Sequence, residues 1–183
     1  MRDEITKTML EQVREEVRKW SEQVLEQSRE SLHEWPVCPY AKGAWEASAA
    51  EVVVVNDWRD VLHAIHEFIG GKSAITVLVK MEPDDWDMEE FLEDVRKLNN
   101  RWSRENVYCL GLHPWDSNTF VAESTEEDEE LGLHDEYVFV LLFHLDELNI
   151  ASKALEEDGF YNNWRPELYY EVLARRKLGD GKD

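Results

Sequence analysis

Apolar residues at Ile5, Met9, Val13, Val17, Trp20 and Val24 recur every three or four positions, with polar and charged residues between them. That spacing draws one narrow stripe along a long amphipathic helix over residues 3–32, with a single face to bury. Such a helix lies across the rest of the molecule or pairs with a partner helix. Pro36 and Pro39 stop it, because proline lacks the N–H of the helical ladder and restricts the residue before it.

Beyond the prolines the period changes. Residues 51–56 (EVVVVN), 74–80 (AITVLVK), 106–113 (NVYCLGLH) and 136–145 (EYVFVLLFHL) are short runs of β-branched and apolar residues, as expected of strands covered on both faces. Between the first two, Trp58, Val61, Leu62, Ile65, Phe68 and Ile69 follow helical spacing behind the capping residue Asp57 and stop at Gly70–Gly71. Between the second and third, Met88, Phe91, Leu92, Val95, Leu98 and Trp102 form a further helical face behind an acidic approach at 83–87. Helices over 146–157 and 166–177 follow the fourth strand, the last opened by Pro166 in its first turn.

Strand, helix, strand, helix, strand in that order predicts parallel neighbours joined by right-handed crossovers. The expected fold class is α/β: a three-to-four-stranded, mostly parallel sheet with crossover helices, preceded by the long N-terminal helix. The fourth strand is expected antiparallel at one side of the sheet. The organisation this implies is an N-terminal helix over 1–34, one α/β domain over 35–178 with an acidic insertion at about 121–135, and a flexible tail at 179–183. Ligands of such sheets gather beyond the carboxyl ends of the strands, so the residues following Val55, Val79 and Leu112 are the first places to look.

Composition narrows the function. A chain of 183 residues with 43% apolar content can bury one sizeable core. Twenty Lys and Arg against 41 Asp and Glu leave a net charge of −21, which excludes a binder of nucleic-acid phosphates, since that needs a basic face. The excess is uneven: residues 37–164 hold nine basic and 28 acidic side chains, concentrated at 82–94 and 123–136. The second stretch includes the run Glu126 to Glu130, which repels itself and suits a solvated insertion. No apolar run approaches the ~20 residues of a membrane span. The N-terminus lacks the apolar core of a secretory signal, and two cysteines suit a reduced, cytoplasmic protein.

Several catalytic signatures fail on context. Gly71-Lys72-Ser73 has the tail of a phosphate loop, but His66 stands at the first glycine position and the segment runs from helix into strand. His144-Leu145-Asp146 lacks the downstream second histidine of a two-histidine, one-carboxylate iron site. His63 and His66 are three apart on one helix, a spacing that could share a metal, and a partly exposed helix face is the plainer explanation of them.

Two spots stand out. Trp35-Pro36-Val37-Cys38-Pro39-Tyr40-Ala41 holds a thiol between prolines, which fixes its direction as a nucleophile or metal ligand requires; a small buried hydrophobe is the plainer alternative. Cys109, Gly111 and His113 lie two apart and share one strand face, with Pro114-Trp115 ending the strand where α/β sheets place ligands. If Cys38 meets that edge, Cys38, Cys109 and His113 make a thiol and imidazole cluster, one ligand short of a closed zinc site. The alternative is a structural His113 with a ring nitrogen bonded to backbone.

These spots carry a likeness. Trp35, Cys38-Pro39-Tyr40-Ala41, the valine strand at 52–55, the strand at 76–79 with Pro83 after it, Phe91, His113-Pro114 with Phe120, and Asn163-Trp164-Arg165-Pro166 resemble an uncharacterised bacterial family, domain of unknown function fourteen-fifteen. That family shows Cys-Pro-Phe-Ala, Phe-His-Pro and Asn-Arg-Ser-Pro-Tyr-Pro motifs. The likeness spans about residues 35–176. Tyr40 replaces the family's Phe, Leu112 stands before His-Pro, Trp164 interrupts the last motif, and Glu171 stands where a histidine is frequent. The resemblance implies convergence of Cys38, His113, Asn163 and Arg165 on one pocket, and no particular reaction.

Two functions follow as expectations. One is a small-molecule site, with Cys38 as thiol nucleophile or ligand, His113 as base or second ligand, Arg165 as an anion clamp, and Asn163, Trp115 and Tyr40 lining the pocket. The other is an interaction protein whose acidic surface and N-terminal stripe bind a second chain: a basic partner approached by nucleic-acid mimicry, or another copy through the N-terminal helix.

Overall fold

A computed structural model of the chain describes residues 2–116 and 137–178. The first helix, α1 (Arg2–Trp20), continues through a π-turn at Ser21–Leu25. Two short strands, β1 (Ser28–Arg29) and β2 (Trp35–Pro36), pair antiparallel and turn the chain back. Then come α2 (Ala41–Glu46), β3 (Ala50–Val54), α3 (Trp58–Gly70), β4 (Ile75–Lys80), α4 (Met88–Trp102) and β5 (Val107–Leu112). The described chain resumes before β6 (Val138–His144), α5 (Leu145–Glu157) and α6 (Pro166–Leu178).

The α/β class holds, with one correction to the sheet. Its order is β3-β4-β6-β5. Strands β3 and β4 run parallel, whereas β6 lies between β4 and β5 and is antiparallel to both, so the sheet is mixed rather than mostly parallel. The fourth strand is interior, not at one side. Its composition explains this: Val138, Phe139, Val140, Leu141 and Leu142 are all buried, and only a position with strands on both sides and layers on both faces removes such a run from water.

The faces of the sheet carry separate cores. On one, Leu78, Cys109, Val138, Val140 and Leu142 pack against Val61, Ile65 and Phe68 of α3 and Phe91, Val95 and Trp102 of α4. On the other, Val77, Val79, Phe139 and Leu141 meet Val13, Val17 and Trp20 of α1. Trp20 packs on Phe139 with ring centroids 4.8 Å apart. The N-terminal stripe therefore lies across the sheet, as one of its two expected placements requires, although Met9 remains exposed.

The first helix is shorter than its sequence suggests. The π-turn brings Val24 and Leu25 together onto the sheet, and after it His33 and Glu34 take positive φ values of 51° and 67° as the chain reverses. A buried polar group secures the end: Ser21 Oγ accepts from the Trp45 indole at 2.9 Å and donates to Glu26 at 2.8 Å, and Glu26 pairs with Arg18. The expected acidic insertion at 121–135 and the tail at 179–183 lie outside the described residues. No helix among the described residues is long and apolar enough to cross a membrane.

Candidate functional site

Parallel strands put the starts of α3 and α4 at one edge of the sheet, beyond Val54 and Lys80. Each start is capped by an aspartate. Asp57 accepts from the N–H groups of Arg59 and Asp60, and Asp87 from those of Glu89 and Glu90. Stacked between the two helix starts are Trp58 and Trp86, with centroids 4.7 Å apart and planes within 7°. Carboxylates surround this aromatic pair. Glu82, Asp84, Asp85, Asp87, Glu89 and Glu90 are all exposed. Helix dipoles favour negative charge at N-termini, which lets the fold hold this density.

One cation is built into that edge. Lys80, 3% exposed, ends β4 and donates to Asp85 at 2.6 Å and Glu82 at 2.8 Å. Burial pulls its ammonium down, but the hydrogen bonds to Asp85 and Glu82 outweigh it and leave the group above the ordinary lysine range. Asp57 and Asp60 are held below the usual carboxylate range, Asp57 first by its hydrogen bond from Arg59 and Asp60 first by the Asn56 N–H.

His113 follows β5 at the same edge and is completely buried. Its ring packs on Phe91 and Trp115. Nε2 lies 3.0 Å from the Trp86 carbonyl, and Nδ1 accepts the Trp115 N–H at 3.3 Å. These contacts assign the proton to Nε2 and engage both nitrogens with backbone. The imidazole thus fastens the end of β5 to the start of α4, which is the structural alternative for this residue.

Cys38 lies elsewhere. Its N–H donates to the Leu25 carbonyl at 2.9 Å, which ties it to the end of the first helix, and Leu25 packs in the core on the α1 side. His113 faces the α4 side. The sheet therefore stands between the thiol and the imidazole, and the structure does not bring them together. Burial pushes the Cys38 thiol up, more than the N–H groups of Tyr40 and Ala41 lower it, and nearby Glu26 adds to the rise. Cys109 is buried and pushed up to about 12 by burial. Tyr40 and Trp115 are exposed.

Asn163 ends a short 3-10 turn (Phe160–Asn163) that leads into α6. The aromatics there pack on one another: Trp35 meets Phe160 edge-on at 5.5 Å, and Trp164 meets Phe160 and Tyr161 at 5.4 and 4.8 Å. Trp35 and Trp164 thereby pin loops to the domain, and Trp45 pins α2 to α1. Arg165 does come near the loop after β5, in the company of carboxylates. Burial raises the Glu171 carboxyl, Asp116 raises it further, and Arg165 opposes them.

Sequence reasoning missed three groups. Asn99 on α4 bonds both backbone groups of Cys109, accepting its N–H at 2.7 Å and donating to its carbonyl at 2.9 Å. Lys80 was legible as a strand-end lysine followed by acids. Arg176 joins α6 to α5 through Ser152 and Glu156, a contact without local signal. An open groove of about 530 Å³ lies where α1 meets α2, lined by Arg14, Arg18, Glu22, Trp45 and Glu46 among others. Among the described residues no group of three or more His, Cys, Asp or Glu is arranged to hold a metal ion. No family model, curated protein or solved structure matches the chain.

Proposed function

We propose that this protein is an interaction module that holds a basic protein partner against the carboxyl edge of its sheet. The observation that carries this reading is the set of exposed carboxylates Asp84, Glu89 and Glu90 beside the Trp58–Trp86 stack. None of the three is in an ion pair with a described residue, whereas Glu82 and Asp85 share Lys80, and Glu93 and Asp94 pair with Arg96 and Lys97. Acids carried at the start of a helix give a partner both steering and register. A partner whose basic surface otherwise faces phosphate suits that row of carboxylates.

The alternative, a small-molecule site on Cys38 and His113 with Arg165, Asn163, Trp115 and Tyr40 around it, has weaker support. A nucleophilic thiol needs a lowered pKa and an adjacent base, and here burial raises the thiol while backbone engages the imidazole.

The test mixes the full chain with cytochrome c, lysozyme and core histones at 50 and 500 mM NaCl, beside a variant carrying Asp84→Asn, Glu89→Gln and Glu90→Gln. A complex of defined stoichiometry at low salt, weakened at least tenfold in the variant and by added salt, supports the reading. Equal binding by the variant, or no complex with any of the three at 50 mM, overturns it.

A further inference from the structure

The two edges of the sheet are built differently. At β5 the Asn99 amide satisfies the outward N–H and carbonyl of Cys109, as a neighbouring strand would. At β3 no such group appears. Ala50, Val52 and Val54 register with Ile75, Val77 and Val79 of β4, and the parallel ladder runs through the residues between them, as in Ile75 N–H to Ala49 O at 3.2 Å and Val55 N–H to Val79 O at 2.9 Å. The N–H and carbonyl groups of Val52 and Val54 therefore point away from the sheet. Among the described residues nothing hydrogen-bonds to them.

Natural edges are commonly blunted by proline, lysine or a bulge. β3 has no proline, lysine or bulge: it reads Ala-Glu-Val-Val-Val with unbroken register, its one charged residue, Glu51, accepts from the Ser73 hydroxyl at 2.9 Å, and Val52, Val53 and Val54 are only half-buried. Ala50, by contrast, is buried, and the Ala49 N–H beside it bonds to the Ala44 carbonyl of α2, so the open part of the edge is Val52–Val54.

We propose that β3 pairs antiparallel with β3 of a second copy of this chain, joining two four-stranded sheets into one of eight strands. The acidic edge selects the direction, and the flank of α1 selects the occupant. The acidic excess lies at the carboxyl edge of each sheet, and antiparallel pairing places the two acidic edges at opposite ends of the dimer, whereas parallel pairing sets them side by side. A two-fold axis through the β3 pair also brings the two α1 helices together, antiparallel, on one face. The flank of α1 beside α2 exposes Arg14, Glu15, Lys19 and Glu22, with both signs at each end, while Arg18 between them is half-buried over Trp45 and paired with Glu22 and Glu26. Reversal sets Arg14 of one copy against Glu22 of the other, and Glu15 against Lys19. That flank is self-complementary, as an isologous contact requires.

Sedimentation velocity of the full chain at 1–200 μM, in 150 mM NaCl, tests the pairing. A species of twice the 21.6 kDa chain mass is expected. Val54→Pro removes one outward N–H on an edge strand, where proline is tolerated, and weakens the dimer at least 100-fold with an unchanged circular dichroism spectrum. Should that variant fail to fold, Arg14→Glu with Lys19→Glu, both on the solvent side of α1, weakens the dimer at least tenfold, and adding Glu15→Lys with Glu22→Lys restores it. A chain that stays monomeric at 200 μM, or a dimer that a folded Val54→Pro and the charge reversals leave unchanged, overturns the proposal.

Discussion

The two thiols differ in setting and agree in chemistry. Cys109 sits in the core between α4 and the sheet, and burial pushes it up to about 12. Cys38 is fixed by backbone between two prolines, and burial raises it as well. A thiol above its ordinary range is protonated at neutral pH and attacks electrophiles slowly. Alkylation by iodoacetamide at pH 8 is therefore expected to be at least tenfold slower at both positions in the folded protein than in the urea-unfolded chain. Fast modification of Cys38 in the folded protein would return it to the list of nucleophiles. The proline-framed thiol and the strand-end histidine were both legible in the sequence, because each depends on neighbours one or two residues away. Their separation was not legible. It depends on which sheet face each approaches, and the partner that quiets His113, the Trp86 carbonyl, comes from 27 residues upstream.

At the scale of elements, periodicity located each strand and helix of the sheet core to within a residue or two. Strand order escaped it, because an apolar run such as β6 reads identically whether its neighbours are parallel or antiparallel. The short α2 escaped too, for six residues offer under two turns of pattern. What sets the spacing of α4 on β5 is a small residue. A Cβ at Gly111 would lie 2.9 Å from Phe91 and 2.9 Å from Val95, both side chains of the α4 face. Both belong to a packed core and have little room to yield, so Gly111→Ala is expected to destabilise by about 1–3 kcal/mol. Chemical denaturation with an unchanged m-value checks this. Asn99→Ala, by a different route, leaves the Cys109 N–H and carbonyl without their partners at a further cost of about 1–3 kcal/mol. If either variant matched the parent, α4 would not be anchored to β5 as described.

At the scale of the whole molecule, the figure that matters is −21 and its placement. Carboxylates at Asp57, Asp60 and Asp146 are each held below the usual range by hydrogen bonds at helix starts, from Arg59, the Asn56 N–H and Asn106 respectively. A lowered folded pKa means that the unfolded chain binds more protons in acid, so this contribution is present above the unfolded value of about 3.9 and is lost as pH falls through the folded values. Stability is therefore expected to decline as pH falls below about 4. Above that range the surplus of like charge dominates, and it opposes the compact state. Salt shortens the reach of that repulsion to roughly 8 Å at 0.15 M and about 3 Å at 1 M. The melting temperature at pH 7 is accordingly expected to rise by a few degrees between 20 and 500 mM NaCl, while any complex with a basic partner weakens over the same range. The two trends have opposite sign because one repulsion lies within the chain and one attraction lies between chains. Thermal melts and binding titrations on the same salt series separate them. A melting temperature that fell with salt would mean that the ion pairs of α1 and α4, rather than the acidic excess, govern the electrostatics of the fold.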